Sequence, residues 1–348
     1  GHYRVETPIE FTEEDSGSQN SPIVYRAAGP ESPLFSGGVA LEHFTPVEDT
    51  DVLARLPESA GDKVMCADLA AAGITGIPPL ELGGFCSGRG FTTHPVWELY
   101  VNGEPMTPAR WPNEGFVSTG EVLGPQTLKS WDNRPGSPEG RFTYEEDRQS
   151  RWVGEPDTWL YGYWYWDWAD SYEKIDRIDV ESQSILLTQP WSTYGYRRDQ
   201  RYFALNLLCE LDAPGEWYLD RCRGKVYLYP ATDLNDAQVT LSSASFPLVA
   251  LSGVSHVCFQ GLTFECGAAD GIKILSGTDC RLEGCTIRMM AGNGIEIEGG
   301  LRHAVLSCDI HTLGRGGVVV SGGDRKTLSP GEHLVENCNI HHLSRIDH

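Results

Sequence analysis

The sequence predicts an all-β protein, a right-handed parallel β-helix (solenoid) with an inserted all-β module, and three observations lead there. Short runs of alternating apolar residues recur at a fixed step from about Val239 onward. Glycine and proline are frequent, 39 and 21 of 348 residues, which favours turns and short strands over long helices. Similar short runs open the chain, and a long stretch without the repeat separates the two.

The repeat decides the fold. Gly271-Ile272-Lys273-Ile274 returns as Gly294-Ile295-Glu296-Ile297 and as Gly317-Val318-Val319-Val320, each time after 23 residues. A second column keeps the step: Gly261-Leu262-Thr263-Phe264, Gly284-Cys285-Thr286-Ile287 and Ser307-Cys308-Asp309-Ile310. Its next member, Asn337-Cys338-Asn339-Ile340, arrives after 30 residues, the excess fitting a polar turn around Asp324 to Pro330. Alternation at period two means strands. One repeat cannot bury its own apolar face, whereas stacked repeats build a continuous core. Cys285, Cys308 and Cys338 share a column and are expected to stack as small apolar side chains, not as a metal or redox ladder. Glycine ahead of each strand is expected to turn a corner with positive φ.

At the front, Tyr3 to Val5, Ile9 to Phe11 and Ile23 to Ala27 read as strands, with a turn at Glu14-Asp15-Ser16-Gly17 and another strand and corner over Leu34 to Gly38. In between, Leu69 to Ala72 reads as a short helix and the rest as strands with Pro/Gly punctuation. Trp97 to Val101 before Asn102-Gly103 signals a hairpin. The expected organisation is N-terminal rungs over 1–42, an inserted β-rich module over 43–235 packed on the side of the solenoid, and further rungs over 236–348.

Forty-nine acidic against 27 basic residues give a formal charge of −22. That excludes a nucleic-acid partner, which needs a basic surface, and attraction to anionic membranes. No stretch approaches the roughly 18 apolar residues of a spanning helix, so no membrane insertion is expected. The ten cysteines match neither a CxxC metal site nor a small disulfide framework. The first residue is glycine, which reads as a processed or cut start.

Three further stretches carry a family resemblance. They are Gly1-His2-Tyr3 through Asp15-Ser16-Gly17 to Ser36-Gly37-Gly38; Val101-Asn102-Gly103 followed by Ala109-Arg110-Trp111-Pro112-Asn113; and Asn206-Leu207-Leu208 on to Ala213-Pro214-Gly215-Glu216-Trp217-Tyr218-Leu219-Asp220. With the rungs, they resemble the right-handed β-helix proteins related to glycoside hydrolase family 141, of the pectate-lyase-like superfamily. The likeness covers nearly the whole chain, and Ala213 to Asp220 is its most specific part. It implies a carbohydrate-active enzyme, since that family includes fucosidases and xylanases acting on plant cell-wall glycans. Such proteins run on through more rungs, where their proposed catalytic aspartates stand near strands reading Asp-Ala-Gly-Ala-Ile-Tyr. This sequence reaches Arg345-Ile346-Asp347-His348 without such a strand. The resemblance therefore implies an internal piece of a longer enzyme, continuing beyond 348 and inactive alone, and no catalytic residue carries over onto a matching position.

The residues offer their own candidates. With Ile295 and Ile297 pointing inward, Glu296 and Glu298 share the outer face, roughly 7 Å apart along the strand. Glycosidases need two carboxyl groups, and this spacing suits an inverting pair; the alternative is a solvated face on which Lys273 pairs with Glu296. The aromatic run Trp159, Tyr161, Tyr163, Trp164, Tyr165, Trp166, Asp167, Trp168, Asp170 suggests sugar stacking, with Trp164, Trp166, Asp167, Trp168 and Asp170 as substrate-binding residues. The same run reads equally as glue between module and solenoid. Arg110 and Trp111, with Asn113 and Glu114, form a second polar-aromatic set or a structured loop. Asp309, His311, Asn339, His341 and His342, with Asp347 and His348, read as stacking and capping groups, and no metal site is expected.

The expected partner is a polysaccharide or oligosaccharide, and the expected chemistry is glycoside hydrolysis of plant or algal material. A non-catalytic glycan-binding β-helix is one alternative. A polysaccharide lyase is another; it alone would call for a cofactor, calcium, and the acidic residues form no recognisable calcium loop. Substrates of this kind place the protein outside the cell or in the periplasm.

Overall fold

Thr263, Thr286, Asp309 and Asn339 lie at one register position, and Phe264, Ile287, Ile310 and Ile340 at the next. The 23-residue step of the sequence is thus the step of a stack. The computed structural model describes residues 1–92, 94–131 and 133–347. Its strands coil as a right-handed parallel β-helix with three parallel sheets. The first holds His2–Arg4, Leu34–Ser36, Thr263–Gly267, Thr286–Met290, Asp309–Leu313 and Asn339–His341. The second holds Ile9–Phe11, Val249–Ser252, Ile272–Leu275, Ile295–Glu298 and Val318–Ser321. The third holds Ile23–Arg26, Val257–Gln260, Arg281–Glu283, Ala304–Leu306 and Leu334–Glu336.

Alternation sorts the side chains. Ile272, Ile274, Ile295 and Ile297 of the second sheet meet Phe264, Ile287 and Ile310 of the first and Leu282 and Val305 of the third in one interior cluster. Cys285 and Cys308 belong to it, each thiol directed at a carbonyl of the preceding rung at 3.5 Å. The cysteine column is packing, and all ten thiols are unpaired.

The corner glycines divide into two kinds. Between the third and first sheets, Gly261, Gly284, Ser307 and Asn337 all take positive φ, between 52° and 65°. Gly271, Gly294 and Gly317 do not have positive φ, contrary to expectation; they are small because the stack is tight there. A Cβ on Gly271 would come 2.6 Å from the Gly294 carbonyl oxygen, and one on Gly294 2.7 Å from that of Gly317.

The chain leaves the solenoid after Leu34–Ser36, at the corner between first and second sheets, and rejoins it at Val249–Ser252. The intervening chain opens and closes as neighbours, Gly38–Ala40 against Val239–Ser242, in a four-stranded sheet with the hairpin Leu99–Val101/Glu104–Pro105. Asn102 and Gly103 turn that hairpin with φ of 53° and 81°. A five-stranded sheet includes Glu216–Asp220 and Lys225–Leu228, and a seven-stranded one includes Trp159–Tyr163, Asp170–Asp179 and Arg201–Leu205. The helix expected at Leu69 to Ala72 is a turn, closed by the Ile74 amide on the Leu69 carbonyl; the α-helix is Thr50–Leu53, capped by the Asp49 carboxylate. The Asp68 side chain, accepting from the Ala70 amide, favours the turn.

The seven-stranded sheet buries an acid. Glu173 is fully buried, accepts from the Ser171 hydroxyl at 3.0 Å and has Arg89 at 3.7 Å. Burial pushes its carboxyl up to about 8, against the opposing pull of Ser171 and Arg89.

Two outcomes follow. Ile274→Ala, deleting a fully packed interior side chain, should cost about 2–5 kcal/mol in a denaturant titration. Between the ordinary carboxylate value of 4.5 and about 8, folded Glu173 holds a proton that the unfolded chain has released, so stability falls as pH rises through that window. Thermal melts should show Glu173→Gln losing less stability than the parent between pH 5 and pH 8.5.

Candidate functional site

On the second sheet, Ile295 and Ile297 turn inward, so Lys273, Glu296 and Glu298 stand on the outer face. The Lys273 ammonium lies 3.0 Å from Glu296 and 3.8 Å from Glu298. One cation thus gathers both carboxylates, and the Glu296 bond raises the lysine's pKa.

The corner beside this face, on the side where the insertion leaves, adds a third carboxyl group. Asp270 Oδ1 accepts the Asn293 amide at 2.6 Å, and Asn293 Oδ1 accepts the Gly316 amide at 3.0 Å, a ladder from rung to rung. Burial, with the Glu296 charge behind it, raises the Asp270 carboxyl above the ordinary range; the Asn293 amide and Arg315 pull the other way. Asp270 is thus the carboxyl that burial shifts upward, and Glu296 is the one paired with the Lys273 ammonium.

Arg315 links this corner to the insertion. Its Nε lies 3.1 Å from Asp347, which accepts the Thr92 hydroxyl at 2.8 Å. Burial raises the Asp347 carboxyl too, opposed by Thr92 and Arg315. The Tyr172 hydroxyl donates to the Ile346 carbonyl at 2.9 Å, and Leu80, Leu82 and Tyr161 pack with Ala291 and Ile346. The outer face of the second sheet, the corner carboxyls and the insertion segment ending at Thr92 thus form one connected surface.

An aromatic row starts next to Thr92. Phe91 meets Phe85 at 6.2 Å, Phe85 meets Trp168 at 5.7 Å, and Trp168 meets Tyr194 at 5.5 Å. All four are exposed, Trp168 at 60%. Of the run anticipated from the sequence, Trp168 lies in this row, and Asp167 beside it is exposed with Arg197 at 3.7 Å and Arg201 at 4.0 Å. Trp166 is half-buried against Tyr165. Trp164 presents no face to a ligand: it is fully buried, its indole N–H donating to Ser171. Asp170 is buried as well and accepts the Tyr161 hydroxyl at 3.1 Å. The strand stops at Tyr163 and a turn follows, so the expected alternation of faces does not continue.

Arg110 and Trp111 lie elsewhere. Arg110 stacks 3.6 Å over the Phe203 ring, and half-buried Trp111 meets Trp152 edge-on at 5.8 Å, before a cis peptide bond to Pro112. On the first sheet, His311 stacks on His341 with centroids 4.9 Å apart, and Asp309 accepts from Asn339 at 3.0 Å, a ladder in keeping with stacking and capping. Among the described residues, no group of three or more His, Cys, Asp or Glu is arranged to hold a metal ion; His348 lies outside them.

Asp270, Arg315, Phe85 and Phe91 escape the sequence reading, and Asp347 enters it only as a stacking or capping group. One signal existed: the residue ahead of each column glycine reads Asp270, Asn293, Gly316, a polar column one place before the apolar one. Thr92 and Asp347, 255 residues apart, leave no local trace.

The model of a right-handed β-helix region matches residues 220–345. The chain is a right-handed parallel β-helix protein. A solved structure described as "Glycoside hydrolase" superposes with a TM-score of 0.65 at 17% identity, covering 99% of this chain and 65% of that one. The chain thus spans about two thirds of that protein's length, and the likeness is one of fold. Another, "The complex structure of XylC with xylose", matches at 11% identity over 88% of this chain and 48% of that one, with a TM-score of 0.38 too low to carry an argument. No curated protein sequence matches.

The corner carries its own test. Because the Asp270 carboxyl is raised, its ionised form weighs against the fold as pH rises. Asp270→Asn keeps an acceptor for the Asn293 amide and removes the charge. Its melting temperature should equal or exceed the parent's at pH 8, with no gain at pH 3; a lower value at pH 8 would show the charge to be stabilising.

Proposed function

We propose that this protein is carbohydrate-active. It binds a polysaccharide along the outer face of the second sheet and the aromatic row, and glycosidic bonds are hydrolysed there. The observation that carries the reading is the exposed row Phe91, Phe85, Trp168, Tyr194, linked through Thr92, Asp347 and Arg315 to the corner that holds the raised Asp270 carboxyl. Sugar rings offer apolar C–H faces that stack on such rings, while carboxylates and guanidinium groups bind hydroxyls. Hydrolysis needs one carboxyl that holds a proton for the leaving oxygen and one that stays ionised as base or nucleophile. Asp270, with its raised carboxyl, is the candidate for the first part; Glu296 and Glu298, both on the Lys273 ammonium, are the candidates for the second, with Lys273 as the positioning residue.

The β-helix architecture and the likeness to a glycoside hydrolase structure support this reading without fixing sugar or linkage. Plant or algal cell-wall polysaccharides are the proposed substrates, and polymers of that size place the protein outside the cell or in the periplasm. The exposed row also favours a second reading, a non-catalytic glycan binder, in which the corner carboxyls only hold the ladder.

Affinity electrophoresis in gels containing xylan or pectin tests both. Trp168→Ala should lose about 0.5–1.5 kcal/mol of binding, roughly twofold to twelvefold weaker, as expected for one stacked ring. Under the hydrolase reading, Asp270→Asn and Glu296→Gln retain retardation and lose reducing-sugar release by at least a hundredfold. Release unchanged in both variants leaves the binder. Retardation unchanged in Trp168→Ala and Phe91→Ala removes the aromatic row from either account.

A further inference from the structure

A cavity of about 250 Å³ lies on the other side of the Ile346 corner, where the sheets of the insertion meet the solenoid. Its walls are mainly apolar, with Leu82, Met106, Phe203, Trp217 and Leu219 among them. Three arginines and one carboxylate are set into these walls: Arg110, Arg221, Arg345 and Glu98. The carboxylate is taken, since Arg345 Nη2 donates to Glu98 at 3.0 Å. Arg110 donates to the carbonyls of Pro112 and Gly115, both at 2.8 Å, and Arg221 Nε to that of Pro78 at 3.2 Å. Among the described residues neither Arg110 nor Arg221 has a carboxylate within ion-pair distance. In a chain of formal charge −22, this one cavity has an excess of positive charge.

Three buried N–H donors on lining residues lack an acceptor: Nη1 of Arg221, Nε of Arg345 and Nε1 of Trp217. A buried donor without a partner costs free energy, more so when it is charged. These three atoms are shut off from the cavity itself, which meets Arg110 and Arg221 at its walls. Burial also lowers the pKa of both Arg110 and Arg221, as it does for a guanidinium without a counter-ion. The missing element is an anion that accepts hydrogen bonds, and the walls call for an apolar body attached to it.

We propose that this cavity binds a small organic monocarboxylate built on a six-membered ring, its carboxylate received by the guanidinium groups of Arg110 and Arg221 and its ring by Phe203 and Leu219. The planar fork of a guanidinium matches a carboxylate in two parallel bonds, a fit that Lys could not supply. The site is separate from the corner carboxyls and does not depend on the glycan reading. Two sources carry this chemistry, a uronic-acid unit and an aryl carboxylate.

Titration calorimetry with galacturonate, benzoate, glucose and sulfate tests the assignment. At least one carboxylate should bind, glucose should not, and sulfate should bind at least tenfold more weakly than that carboxylate. Preference for galacturonate identifies a uronic-acid source and preference for benzoate an aryl acid. Arg221→Gln should raise the Kd at least tenfold, with circular dichroism reporting the fold. Arg221→Lys, which keeps the charge and loses the planar fork, makes the same test with a smaller, severalfold effect if the charge deletion unfolds the chain. Binding of neither carboxylate overturns the proposal. So does sulfate binding as tightly as both, or unaltered affinity in a folded variant.

Discussion

Everything in this molecule depends on parallel pairing between each strand and its copy one rung away. The register is locked because a slip of one residue would turn Ile272, Ile274, Ile295 and Ile297 outward and bring Lys273, Glu296 and Glu298 into an apolar core. Burying those charges without partners would cost far more than any single contact returns. The same alternation that builds the core therefore delivers three charged side chains to one outer face on two adjacent rungs.

That face becomes a candidate site through the place where the insertion leaves. The chain departs at the corner between first and second sheets, so the later corners of the same column, around Asp270, Asn293 and Arg315, lie against it. A β-helix corner is otherwise solvated. Here the insertion packs on Ala291, Ile346 and Asp347 of that corner, beside a buried carboxyl, Asp270, and a second one, Glu296, on the Lys273 ammonium. Fold and proposed chemistry meet there, because burial and one ammonium give the two acids different surroundings.

The sequence announces the solenoid plainly, since a strand pairing with its own copy writes a fixed period into the chain. Even the extra residues before Asn337 appear where expected, as a turn bridged between Asp324 and Ser329. Corner chemistry is less legible. Gly261 and Gly284 are glycines for their positive φ, while Gly271 and Gly294 are glycines for close backbone approach, and one letter serves both. The aromatic run misleads for a related reason. Trp164 and Trp168 look equivalent in an alternating pattern, but the strand ends at Tyr163, and the turn buries one and exposes the other. Phe85 and Phe91 join Trp168 only through the fold of the insertion, and no local pattern marks them.

The central claim is that the outer face of the second sheet, the corner carboxyls and the aromatic row form one glycan-binding surface. Hydrogen–deuterium exchange with and without oligosaccharides from xylan and pectin addresses it most directly. The account predicts protection together over residues 83–92, 166–170, 268–273 and 292–298, with segments such as 180–184 unchanged. Binding that leaves those segments unprotected, or no binding by any oligosaccharide of the panel, would contradict it.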